Sequence, residues 1–198
     1  MKRIFDFIAS LSGLLMLSPV FVVISIWIKL DSTGPIFFRQ KRIGQFTRIF
    51  EIYKFRTMIV NAEALGELIT VANDRRITRP GAFLRKYKLD ELPQLINVLF
   101  GEMSLVGPRP EVPKYVKLYS DKDKDIIYSV KPGITDNASI EYRDENKLIG
   151  MSPNPEETYI KQILPRKVKL YKLYVTNRSF SGDLVILIKT IFLILTSK

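Results

Sequence analysis

Hydrophobic and polar positions divide the chain into segments of different period. From Ile4 to Ile28 the residues are almost wholly apolar, broken by Asp6, a few Ser and Gly, and the pair Ser18-Pro19. A run of about 20 apolar residues is long enough to cross a bilayer. It exceeds a signal-peptide core, and no small-residue cleavage site follows it. Two features argue against a simple crossing. Lys2 and Arg3 precede the run and Lys29, Arg39, Lys41 and Arg42 follow it, so the positive-inside rule keeps both ends on one side. Pro19 removes a helical hydrogen bond beyond the middle of the segment, and the Ser18 hydroxyl is placed to take up a freed carbonyl. Local physics leaves a re-entrant helix-break-helix and a spanning helix in balance.

Between Gly34 and Met58 the pattern shifts to a period of two. Ile36 and Phe38, a turn at Gly44-Gln45, then Phe46, Arg48, Phe50 and Ile52 predict a β-hairpin, closed by Lys54 and Arg56. Asn73 to Arg76 reads as a loop and Ala82 to Tyr87 as a short basic helix or turn. Leu92, Leu95, Ile96 and Leu99 then form a helical stripe that Gly101 stops. Pro93 fits only the first turn of that helix, which predicts Asp90 or Glu91 as N-cap. Pro113 to Ser129 and Pro153 to Tyr174 read as charged helices, the second interrupted at Pro165, with Lys131 to Thr135 a turn between them. From Leu184 to Leu195 a helix apolar nearly all round is either buried or laid on a membrane. The whole reads as a mixed, mainly helical α/β chain: residues 1–30 in a membrane segment, 31–198 in one cytoplasmic domain.

Composition narrows the chemistry. In 198 residues there is no Cys and no His, and the net charge is +11. Thiolate and Ser-His catalysis are therefore excluded, together with the usual zinc ligands. Any metal should be a hard, oxygen-seeking ion such as Mg²⁺. The positive balance calls for a polyanionic partner. Lys and Arg are spread along the chain rather than gathered in one tail, which argues against nucleic acid. The alternative to an enzyme is a non-catalytic, membrane-associated basic protein that binds anionic lipid or nucleic acid.

The adjacent carboxylates Asp90 and Glu91 follow the basic run Arg85-Lys86-Tyr87-Lys88. At a helix N-terminus such a pair is ordinarily a cap and a first-turn acid; the same position also attracts phosphate. Arg109, stiffened between Pro108 and Pro110, is a second cation suited to phosphate.

Taken in order, Lys54 to Met58, Arg76 to Gly81, Leu84-Arg85, Leu89 to Gln94, Asn97 to Leu99, Gly101 to Ser104, Val106 to Pro110 and Lys131 to Thr135 resemble the bacterial sugar transferase family of monotopic phosphoglycosyl transferases. The chain looks like that family's small form, with the membrane hairpin first. The resemblance implies transfer of a sugar 1-phosphate from a nucleotide diphosphate sugar, usually a UDP-sugar, to polyprenol (undecaprenyl) phosphate at the cytoplasmic face of the bacterial inner membrane. This would be the first membrane step of glycoconjugate assembly, handing product to downstream glycosyltransferases; a homodimer is compatible with it. It also implies a re-entrant membrane helix broken at Ser18-Pro19. Asp90 becomes the nucleophile of an aspartyl-phosphosugar, Glu91 its assistant in proton transfer or Mg²⁺ positioning, and Lys54, Arg56, Arg85 and Arg109 the phosphate-binding cations. From Asp136 to Arg143 the chain departs from the family's usual run of Gly, an aromatic or Leu, Ala, Gln, Val, Asn, Gly, Arg: only Ala138 and Arg143 keep their places. That leaves the dyad intact and opens the question of the donor pocket.

Overall fold

The computed structural model describes residues 1–62 and 74–196, without the side chains of residues 146, 147 and 195. Asn73, the first residue of the expected loop, lies outside them; the rest of that loop is a turn. Helix α1 (Lys2–Asp31) runs through Pro19 without interruption. The expected break at Ser18-Pro19 is therefore not a gap between two helices. Proline leaves the Leu15 carbonyl without its usual donor, and the Ser18 hydroxyl donates to that carbonyl at 2.8 Å, which lets the helix continue.

Strands β1 (Phe37–Ile43) and β2 (Ile49–Phe55) form the antiparallel hairpin, joined by a short 3₁₀ turn at Gln45–Thr47. Helix α2 (Arg79–Lys86) starts on Thr78, whose hydroxyl accepts from Gly81 N. A 3₁₀ turn, Leu89–Glu91, precedes α3 (Gln94–Phe100), which ends on Gly101 at φ 82 as the sequence requires. Asn97 fixes α3 against the hairpin, accepting from Tyr53 N at 3.0 Å and donating to the Glu51 carbonyl at 2.8 Å.

The expected turn over Lys131 to Thr135 is instead a strand. Strands β3 (Ser104–Val106) and β4 (Gly133–Thr135) pair in parallel, separated by the short helices α4 (Pro113–Val116) and α5 (Asp121–Ile127). The backbones meet so closely that a Cβ on Gly133 would lie 2.0 Å from Gly107 N; only glycine allows this approach. Helices α6 (Asn137–Glu141), α7 (Glu145–Gly150) and α8 (Pro155–Thr158) follow, then a π-helical turn at Tyr159–Ile163 that leads directly into α9 (Leu164–Thr176). Pro165 opens α9 rather than interrupting a longer helix. The last helix is α10 (Phe180–Leu195).

Three apolar clusters hold these elements together. One is aromatic-rich and lies among α4, α5 and α9 (Tyr115, Tyr128, Ile163, Tyr171). A second joins hairpin, α3, β3 and α10 through Ile52, Val98, Val106 and Ile186. The third seats the far half of α1 (Ile24, Ile28) on Phe55 and Leu84.

Both ends of α1 are tied to this one body. Lys2 Nζ bonds Asp183 at 2.5 Å, and Arg3 donates to the Val98 and Leu99 carbonyls that end α3. Asp6, 3% exposed, accepts from Ser104 Oγ and Leu105 N. At the other end Arg56 donates to the carbonyls of Ser32 and Thr33, at 2.7 Å each. The outward face of α1 stays apolar and uncovered, as at Leu15, Met16, Val23 and Leu30, and so does that of α10 at Ile188 and Phe192.

Candidate active site

A cavity of about 420 Å³ lies between the turn after α2, strands β3 and β4, helix α6 and helix α10. Its polar end gathers Asp90 and Glu91 with Lys54, Arg85, Lys88 and Arg109. Residues from distant parts of the chain meet there for identifiable reasons. The two-residue period of β2 puts Lys54 on the face carrying Ile52, turned towards α3. Lys88 adopts a left-handed backbone, φ 57, that turns the chain out of α2 and into the 3₁₀ turn holding the acids; a non-glycine residue there is strained and kept by its surroundings. Arg109 follows β3 on a loop secured from the hairpin, with Arg42 Nη1 donating to the Pro110 carbonyl and Ile43 N to the Glu111 carbonyl.

The two acids occupy different environments, and neither is an N-cap: the cap position of α3 is Pro93. Glu91 is fully engaged. Lys54 Nζ donates to Oε1 at 2.8 Å, Arg109 Nη1 donates to Oε2 at 3.1 Å, and Arg109 Nη2 also contacts Oε1. Burial alone would push this carboxyl up, but Arg109 and Lys54 outweigh it and hold Glu91 well below the usual glutamate range. The same pair raises Arg109, with Glu91 the main cause. Asp90 is 8% exposed, and its carboxyl makes no hydrogen bond or ion pair among the described residues. Burial raises its pKa, Lys54 opposes that, and the adjacent Glu91 charge adds to it. The pair is thus split into a locked anion and an unengaged carboxyl, as in sites that separate supporting and reacting acids.

The Arg85 guanidinium is equally unengaged: among the described residues it has no hydrogen bond or ion pair, and its Nη1 is shielded from solvent. A buried donor in that condition needs an acceptor, and an anion in the cavity beside Asp90 supplies one. Lys54, Arg85 and Arg109 are therefore brought together as expected. Arg56 is not: it lies 5% exposed at the C-terminal end of α1. The alternation that would carry it to the site stops at Phe55, the last residue of β2.

The opposite wall comes from the run Asp136 to Arg143 that the sequence sets beside the donor pocket without naming individual side chains. Ser139, Ile140, Tyr142 and Arg143 line it from α6 and the turn beyond, with Glu145 and Lys167 paired behind them. For Lys167 there was a signal. Leu164, Lys167, Tyr171 and Tyr174 are the buried positions of α9, a helical stripe into which a lysine has been set. The remaining wall is apolar, formed by Leu95, Leu105 and Ile134 and by Leu187, Ile191 and Ile194 of α10.

Of the carboxylates lining the cavity, Glu91 and Glu145 are in ion pairs and Asp90 is not. Among the described residues no cluster of three or more acidic side chains is placed to hold a metal. The donor set therefore does not fit an ion caged by protein. It fits one that touches Asp90 and takes its other ligands from a phosphorylated substrate and water, the usual manner of Mg²⁺.

The family model described as bacterial sugar transferase matches residues 1–197. The UDP-N-acetylgalactosamine-undecaprenyl-phosphate N-acetylgalactosaminephosphotransferase of Aeromonas hydrophila is 37% identical over 98% of this chain and 44% of its own length. The UDP-glucose:undecaprenyl-phosphate glucose-1-phosphate transferase of Klebsiella pneumoniae is 36% identical over 96% of this chain and 39% of its own. The chain thus spans less than half the length of these two relatives. The uncharacterized sugar transferase EpsL of Bacillus subtilis is 36% identical over all of this chain and 89% of its own length.

Proposed function

The chain belongs to the bacterial sugar transferase family, and on that premise we propose that it moves a sugar 1-phosphate from a nucleotide diphosphate sugar, most simply a UDP-sugar, to undecaprenyl phosphate. The observation that carries this reading is the unengaged Asp90 carboxyl set among Lys54, Arg85, Lys88 and Arg109.

Asp90 attacks the sugar-bearing phosphorus of the donor. The bond from that phosphorus to the bridging oxygen breaks, and the nucleoside monophosphate leaves with the electron pair. An oxygen of the lipid phosphate then attacks the aspartyl-phosphosugar, frees the Asp90 carboxylate and yields the polyprenyl diphosphate sugar. A covalent intermediate lets one cavity serve a soluble donor and a lipid acceptor in turn. Glu91 does not attack, because its oxygens are held. Its negative charge keeps Lys54 and Arg109 at the cavity, where they face the phosphates. Arg85 takes a phosphate oxygen on its unpartnered Nη1. Asp90 would hold Mg²⁺, and the ion's charge would offset the repulsion between an anionic nucleophile and the diphosphate.

The acceptor's dual chemistry suits the cavity, which is cationic at Asp90 and apolar along α10. The uncovered apolar faces of α1 and α10 suit a membrane. A helix of 30 residues is about 45 Å long, and a protein domain on one side of a bilayer cannot grip both ends of a helix that crosses it. The ties at Lys2, Arg3 and Arg56 therefore favour α1 dipping into one leaflet, with the domain on the cytoplasmic face.

The test is release of nucleoside monophosphate by detergent-solubilised protein given a panel of UDP-sugars, Mg²⁺ and undecaprenyl phosphate. Turnover that depends on the lipid and disappears in Asp90→Asn is the expected result. Full activity in Asp90→Asn would overturn the assignment of the nucleophile.

A further inference from the structure

The wall of the cavity facing the dyad carries polar groups that the fold does not use. Ser139 Oγ is buried and has no partner. The Ser139 backbone N–H caps the turn, donating to Asp136 Oδ1 at 2.7 Å, and the hydroxyl lies beside the same carboxyl, where it favours the charged form. Tyr142 and Arg143, both half-buried, line the cavity, and among the described residues neither the hydroxyl nor the guanidinium makes a hydrogen bond or ion pair. Elsewhere in the cavity Lys54, Glu91 and Arg109 satisfy one another, as do Glu145 and Lys167. Polar groups that the fold leaves available on one wall of a cleft are where a polar ligand is held.

We infer that Ser139, Tyr142 and Arg143 form the subsite for the sugar ring of the donor and set which sugar is accepted. This rests on the transfer reaction proposed above. In a two-step transfer the nucleoside leaves after the first step, while the sugar stays bound to Asp90 through its phosphate until the lipid arrives. The enclosed wall beside the dyad therefore belongs to the sugar. The groups on it match a polyhydroxylated ring: a hydroxyl, a phenol with an aromatic face, and a fork of N–H donors. A nucleobase would call for a stacking platform, and Tyr142 is the only aromatic residue lining the cavity.

The test compares kcat/KM of the full chain and of Ser139→Ala, Tyr142→Phe and Arg143→Ala. The substrates are UDP-sugars differing at one hydroxyl or acetamido group, and one sugar on several nucleoside diphosphates. Losing a neutral hydrogen bond should change the ratio between sugars about 3- to 10-fold, and losing the guanidinium at least ~10-fold. The ratio between nucleotides should stay as in the unsubstituted protein, and so should the thermal midpoint of Tyr142→Phe, while Ser139→Ala can lower the midpoint because its hydroxyl lies beside the buried Asp136 carboxyl. An active parent whose variants keep its sugar ratios, or shift the nucleotide ratio instead, would overturn the inference. A parent inactive on every donor would instead overturn the transfer reaction itself.

Discussion

Arg109 grips Glu91 at two points, Nη1 on Oε2 at 3.1 Å and Nη2 on Oε1, and this pair decides which of the two adjacent acids is left unengaged. With Lys54 on the same carboxylate, Glu91 has no oxygen to offer, and Asp90 keeps both of its own.

Arg109→Lys tests the two-point grip. An ammonium cannot span both carboxylate oxygens as a guanidinium does, so donor turnover should fall at least ~10-fold while much of the stability is kept. Arg109→Ala should in addition lower unfolding free energy by about 3 kcal/mol, since it strips a buried anion of one partner. Steady-state kinetics beside denaturant titration checks both. Equal turnover in Arg109→Lys and the parent would show that the geometry of the pair is immaterial.

The two acids should respond to pH in opposite ways. Asp90 has its folded pKa raised, first by burial, so the fold favours its neutral form. The associated stability is complete below the unfolded aspartate value and is lost as pH rises through the folded one. Glu91, held low by Arg109 and Lys54 against its burial, contributes stability above the unfolded glutamate value and loses it as pH falls through its folded value. Asp90→Asn should therefore be more stable than the parent at neutral pH by about 1 kcal/mol, with the gain shrinking on acidification. The acid limb of the parent's activity should fall at a pH above the ordinary aspartate value. Denaturant midpoints across pH, beside the rate profile, measure this; a gain that persists at low pH would contradict it.

Arg56 should behave as a structural residue. It makes hydrogen bonds to Ser32 and Thr33 at the end of α1 and does not reach the cavity. Arg56→Ala should lower stability by roughly 2–3 kcal/mol and loosen α1, while the KM for the donor in the folded fraction stays unchanged. A raised KM with intact stability would return Arg56 to the phosphate site.

On the proposed re-entrant placement, two features would hold α1 to one side: Pro19 with Ser18, and the polar docking of Lys2 and Asp6. Asp6 binds Ser104 Oγ at 2.8 Å from within an apolar helix. The combination Asp6→Ala with Pro19→Ala should expose the N-terminus on the far side of the membrane, and either change alone should do so less. The chain has no native cysteine, so a cysteine added at the N-terminus can be labelled from each side of sealed vesicles. Unchanged labelling in the double variant would show that neither device sets topology.

The local parts of this design were legible. Alternation gave the hairpin, the apolar stripe and Gly101 gave α3, and the acid pair stood out beside its basic run. What escaped depended on pairing across the chain. Strands β3 and β4 have three residues each, too few for a period, and exist because Gly107 and Gly133 let two backbones meet. Lys54 and Arg56 share an alternation, yet the strand ends between them and sends them to different places. Proline near the dyad suggested a carboxylate cap, whereas an intervening 3₁₀ turn moves both acids off the helix and turns one of them free. Ser139 and Tyr142 carry no local signal; their unpartnered hydroxyls are visible only once the cavity closes around them.

The central claim is that Asp90 becomes covalently phosphorylated by the donor. The most direct measurement is the intact mass of the full chain after incubation with its donor and Mg²⁺ in the absence of lipid. A gain equal to one sugar phosphate, matched by one equivalent of nucleoside monophosphate, discharged by undecaprenyl phosphate and missing in Asp90→Asn, is the expected result. Nucleoside monophosphate released only when the lipid is present, from protein whose mass never changes, would contradict it.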